Sequence, residues 1–109
     1  MIELTVYFDL NKPIGTEIEV FYRIQNKYDF SKPFENQNWY RTSKQTPAQF
    51  SKTEDEFFEE TYQNLNISYT NETKVNYTDF KYFSIKIVMY SENSSVVPKI
   101  KNLRVIATV

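Results

Sequence analysis

Apolar residues recur with a period of two along four long stretches of this chain, and that pattern restricts it to β structure. Ile2, Leu4, Val6, Phe8 and Leu10 alternate with Glu3, Thr5, Tyr7 and Asp9. From Thr16 to Ile24, Ile18, Val20, Tyr22 and Ile24 fall on one face, with Glu17, Glu19 and Arg23 on the other. Phe83, Ile85, Ile87 and Met89 repeat the pattern, opposed by Ser84, Lys86 and Tyr90. Leu103, Val105, Ala107 and Val109 do so again. Alternation of this length marks half-buried strands rather than helices. The last third, Asp79 to Val109, holds two of these strands joined by a polar link. Pro98 has no amide hydrogen, so it belongs outside the ladder. This pair is expected to form the centre of a β-sandwich.

The rest of the chain supplies turns and shorter strands. Asn11-Lys12-Pro13-Ile14-Gly15 reads as a turn, and Gly15, the single glycine, is expected where a positive φ is needed. Gln25–Asn38 and Lys44–Lys52, the latter with Pro47, read as loops around a short strand at Trp39–Ser43. Thr53 and Glu56 have the spacing of a helix capping box, but Phe57 to Tyr62 favours a strand. Asn66–Tyr69 is expected to continue that strand, and Thr70–Thr78 to turn. The result is six to eight strands with no βαβ spacing. That predicts an all-β, antiparallel β-sandwich of jelly-roll or immunoglobulin-like type, spanning residues 1–109 as one domain. Both ends of the chain carry strand pattern, as expected of a C-terminal module cut from a longer chain.

Composition removes most chemistry. Histidine and cysteine are absent, so there is no imidazole or thiolate for catalysis or for a metal. Thirteen basic and fourteen acidic residues nearly cancel, which argues against nucleic acid or an anionic membrane as partner. No apolar run is long enough for a spanning helix. Glu54, Asp55, Glu56, Glu59 and Glu60 form one acidic cluster. It reads first as a charged strand edge that discourages edge pairing. Calcium is the alternative, though no D-x-D-x-D-G loop is present. A hydrolase would need two of these carboxylates roughly 5–9.5 Å apart across a cleft. No enzymatic activity and no cofactor are expected.

Two further groups stand out. Tyr28, Phe30, Phe34, Trp39 and Tyr40 crowd one loop region, where rings can stack on a sugar, anchor a protein interface or simply pack. Tyr28 and Tyr40, flanked by polar residues, are the ones expected at the surface. Four N-x-[ST] triplets begin at Asn66, Asn71, Asn76 and Asn93, and an Asn-rich chain produces these by chance.

One family likeness emerges from these residues. Phe83-Ser84-Ile85-Lys86-Ile87-Val88-Met89-Tyr90-Ser91, followed by Val97-Pro98-Lys99-Ile100-Lys101-Asn102-Leu103-Arg104-Val105-Ile106-Ala107, resembles a module near the ends of long baseplate and tail-fibre proteins of T4-like tailed bacteriophages. Lys12-Pro13-x-Gly15-Thr16-x-Ile18-x-Val20-x-Tyr22, the Asp29–Phe34 loop, Trp39 and Asp55-Glu56-Phe57 are similar to its earlier part. The resemblance implies a non-catalytic virion module, assembled in the bacterial cytoplasm, that packs against other virion proteins or self-associates. The rival expectation is a non-catalytic carbohydrate-binding module that holds a glycan with exposed rings.

Overall fold

The computed structural model describes residues 1–44 and 46–109; Gln45, in the predicted Lys44–Lys52 loop, lies outside the described residues. The chain is all-β and antiparallel, with eight strands among the described residues. They are β1 (Glu3–Asn11), β2 (Thr16–Gln25), β3 (Tyr40–Arg41), β4 (Phe58–Asn64), β5 (Tyr69–Thr70), β6 (Asn76–Tyr77), β7 (Tyr82–Ser91) and β8 (Lys99–Thr108). One sheet has the order β4-β1-β8, a second β3-β2-β7, and β5 and β6 form a small hairpin.

The two long early strands are the centres of the sandwich. Leu4, Val6, Phe8 and Leu10 of β1 are at most 1% exposed, because β1 has a neighbour on each side and a sheet in front. Across from them stand Ile18, Val20 and Ile24 of β2, also buried. Phe8 stacks on Tyr62 of β4 with centroids 5.5 Å apart. At the other end Leu4 and Ile24 meet Ile67, Tyr69 and Phe80. The link from β1 to β2 crosses between sheets. Gly15 turns it with φ +88°, and the Thr16 amide closes the turn onto the Pro13 carbonyl at 3.2 Å.

The late strands are not the centre expected of them. β7 pairs with β2 and β8 with β1, in different sheets, and each is an edge. The side chains are consistent with this placement. Lys99 and Lys101 of β8 are exposed, as lysines on edge strands are, and Lys86 of β7 is half-buried. No apolar residue of either strand is fully buried. Ile85, Ile87, Ile100 and Val105 reach the core, whereas Phe83 and Met89 stay 37% and 45% exposed.

β8 also changes face part-way. Tyr7 pairs with Arg104 but Asp9 with Lys101, so two residues of β8, Asn102 and Leu103, stand opposite the single residue Phe8. Asn102 takes up the extra residue with φ +56° and donates to the Asp9 carboxylate at 2.7 Å. The bulge puts Ile100 on the inward side with Val105 and turns Leu103 out, 51% exposed, against the expectation that it faces the core. Val109, also expected inward, is 95% exposed. The predicted continuation at Asn66–Tyr69 is likewise broken, because Asn66 bends the chain with φ +50° before β5 begins. Thr53–Glu56 is a turn, not a helical cap: Asn11 donates to the carbonyls of Thr53 and Glu56 at 2.9 and 2.8 Å.

The bulge should therefore depend on a residue that tolerates the left-handed region. Asn102→Val is expected to lower stability by about 1–2 kcal/mol, the cost of placing a branched side chain there, while Asn102→Gly keeps the backbone accessible. Urea unfolding of the two variants checks this, and the reverse ranking would contradict it.

Candidate functional site

The five aromatic candidates do not form one surface. Phe34 begins a 3-10 turn, Phe34–Asn36, that lies over the outer face of the β3-β2-β7 sheet. There the Arg23 guanidinium carbon sits 4.1 Å from the Trp39 ring and 5.7 Å from Phe34. Lys86, directly opposite Phe21 on β7, lies 4.6 Å from the same indole. Trp39 is thus occupied by two cations of its own chain. Arg23, read from the sequence as solvent-facing, is half-buried, and among the described residues its Nε has no hydrogen-bond partner. Tyr40 turns the other way. It pairs with Tyr22 at 5.5 Å and packs on the core, so it is not the exposed ring expected. Tyr28 and Phe30 alone are strongly exposed, at 66% and 86%. Among the described residues neither stacks with a second ring.

Beneath this loop lies a polar hub that the sequence reading passed over. Asp29 is 2% exposed. Its Oδ1 accepts from the Ser31 amide at 3.0 Å, the Ser31 hydroxyl at 2.6 Å and Asn71 at 3.2 Å. Its Oδ2 accepts from the Tyr69 hydroxyl at 2.8 Å. Burial acts to raise the carboxyl pKa, but the bonds from Ser31, Tyr69 and Asn71 outweigh it and the pKa is lowered. Burial pushes the Tyr69 hydroxyl far above its ordinary range; the amide of Asn26 opposes that, and Asp29 adds to it. The hub ties the Gln25–Asn38 loop to the β5–β6 hairpin. Its signal was present in the sequence as Asp29-x-Ser31, an Asx turn. Asn71-x-Thr73 and Asn93-x-Ser95 use the same geometry, their side-chain oxygens accepting from the Thr73 and Ser95 amides at 3.1 and 3.0 Å. Two of the four N-x-[ST] triplets thus have a turn-forming role.

The acidic cluster is split by the turn at 53–56. Glu59 points outward from β4, whereas Glu60 points inward, 5% exposed, and pairs with Lys44. Burial lowers the Lys44 pKa. Among the described residues no three carboxylates converge to hold a cation. A surface groove of about 800 Å³ lies beside the β1–β2 turn and includes Glu17, Glu19, Arg41, Phe50 and Tyr90. Its carboxylates are partly neutralised, Glu17 by Lys12 at 2.6 Å and Glu19 by Arg41 at 3.5 Å.

The remaining feature is the open side of the sandwich. The β3–β4 side is closed, because Asn64 donates to the Thr42 hydroxyl at 3.2 Å, Lys44 pairs with Glu60, and Ala48 packs on the core. Among the described residues the β7–β8 side has no such cover. Two ten-residue strands there leave their outer edges unpaired, with half-exposed apolar side chains between them. No protein-family model, curated protein or solved structure matches the chain.

Asp29 has a pH signature. A carboxylate whose folded pKa lies below its unfolded one adds stability above the unfolded value and loses it as pH falls through the folded one. Wild-type protein should therefore exceed Asp29→Asn in stability by about 1–3 kcal/mol at neutral pH. The gap should narrow on acidification below the ordinary aspartate value of 3.8. Thermal melts from pH 7 downward check this, and a constant gap would count against it.

Proposed function

We propose that this chain is a non-catalytic structural module that acts by packing against other proteins through its open β7–β8 side. The observation that carries the reading is the pair of long edge strands whose inward residues, Phe83 and Met89 above all, remain half-exposed. Unpaired edges beside apolar surface are the features a partner protein covers. The resemblance of these same two strands, with the Val97-Pro98 link before β8, to modules of T4-like phage tail and baseplate proteins sets the context. In that context the chain is part of a virion, its partners are other virion proteins, and neither nucleic acid nor membrane is engaged.

The carbohydrate reading rests on Tyr28 and Phe30, the two of the five candidate rings that are strongly exposed. It is the weaker one. A sugar platform needs rings presented side by side, and Phe34, Trp39 and Tyr40 are spent on contacts within the chain.

Crosslinking in purified tail particles separates the two. The packing reading expects amine-reactive crosslinks from Lys86, Lys99 or Lys101 to a neighbouring virion protein. Absence of the chain from particles contradicts it. Binding to a glycan array that is lost in Tyr28→Ala/Phe30→Ala would favour the carbohydrate reading instead.

A further inference from the structure

We propose that copies of this chain associate head to tail through the β4-β1-β8 sheet, with β8 of one copy pairing in parallel with β4 of the next. The proposal rests on the packing function above and identifies one partner of the open side as a second copy of the chain.

The two free edges of this sheet carry opposite charge. On β8, Lys99, Lys101 and Arg104 fall within six residues that contain no acid. At the other edge, Glu54, Asp55, Glu56 and Glu59 precede or lie on β4 with no base among them. Both strands run antiparallel to β1, so they are parallel to each other, and among the described residues neither pairs with a second strand; the segment that closes the β3–β4 side meets β4 through side chains, with no backbone hydrogen bond to it among the described residues. A second copy displaced across the sheet therefore brings its β4 alongside β8 in the right direction for a ladder.

The register matches the charges. Asp9 on β1 stands level with Glu59 on one side and with Lys101 on the other. Both side chains are exposed. Extending the sheet by one copy puts Lys101 on the same rung as the neighbour's Glu59, an opposite-charge pair across two strands. Lys101 has the reach for this: in the single chain its ammonium extends across the sheet to lie 4.0 Å from the Phe57 ring, just before β4.

Two-fold pairing is disfavoured by the same charges. β8 against β8 sets Lys99, Lys101 and Arg104 against their own kind, and β4 against β4 does so for the carboxylates. What remains is a heterologous contact, which closes as a ring or continues as a filament. The interface is small and charged, so association should be weak and should fall as salt is raised.

Sedimentation of the purified chain at millimolar concentration and low salt tests this. Wild type should sediment above the 13.1 kDa of one chain. Lys99→Glu/Lys101→Glu and Asp55→Lys/Glu59→Lys should each sediment as monomers, since the first makes both edges acidic and the second cancels the acidic charge of the β4 edge and sets a base on the rung of Lys101. An equimolar mixture of the two variants should assemble again, because each then offers the edge that the other lacks. A monomeric wild type, variants that assemble as wild type does, or a mixture that stays monomeric would overturn the proposal. If the chain is monomeric yet crosslinks to other virion proteins in particles, head-to-tail pairing is wrong and the packing function stands. If both fail, the packing function fails as well.

Discussion

Burial of one face of β1 is the constraint on which the rest of the structure depends. Leu4, Val6, Phe8 and Leu10 lose essentially all contact with water. Full burial of each such side chain stabilises the folded state by roughly 1.5–3 kcal/mol, more than any exposed ion pair in the molecule supplies. It also has a geometric requirement. A strand is covered this completely only if it has partners on both edges and a second sheet in front. β4 and β8 supply the edges, and β2 supplies the front. Once β1 and β2 face each other, β7 and β8 are left to the margins.

The polar contacts follow from that arrangement. Crossing from β1 to β2 requires a tight turn, and Gly15 makes it. Closing the β3–β4 side buries Glu60, which needs the Lys44 ammonium beside it. Ordering the long Gln25–Asn38 loop requires an internal anchor, and Asp29 provides one with acceptors for the Ser31, Tyr69 and Asn71 donors. On the outer face of the second sheet, Trp39 covers Arg23, which has no carboxylate partner among the described residues. Among the described residues the β7–β8 side has no comparable closure, and the packing proposal rests on this asymmetry.

Much of the fold was legible in the residues. Alternation in β1 and β2 identified their inward faces, and a lone glycine marked its turn. Alternation reports which face of a strand is buried, however, and says nothing about which strand lies beside it. That is why β7 and β8, adjacent in sequence and equally regular, read as a central pair when they are edges of different sheets. The face of Leu103 was misread for a related reason. Leu103 lies in the bulge beside the left-handed Asn102 and turns out, while Val105 and Ala107 beyond it keep the inward face, and asparagine is too common in this chain to stand out. Among the candidate rings, flanking polarity suited Tyr28 but not Tyr40, whose neighbour across the ladder is another tyrosine. Asp29 was visible only as a three-residue turn pattern, whereas its burial depends on Tyr69 and Asn71, forty residues away.

Residue-resolved amide hydrogen exchange in dilute solution tests the central arrangement most directly. If β1 and β2 are the inner strands, their amides are protected along both edges of each strand, while protection in β7 and β8 alternates, with every second amide facing solvent. Continuous protection along both β7 and β8, as in a hairpin at the centre of the sandwich, would contradict the account.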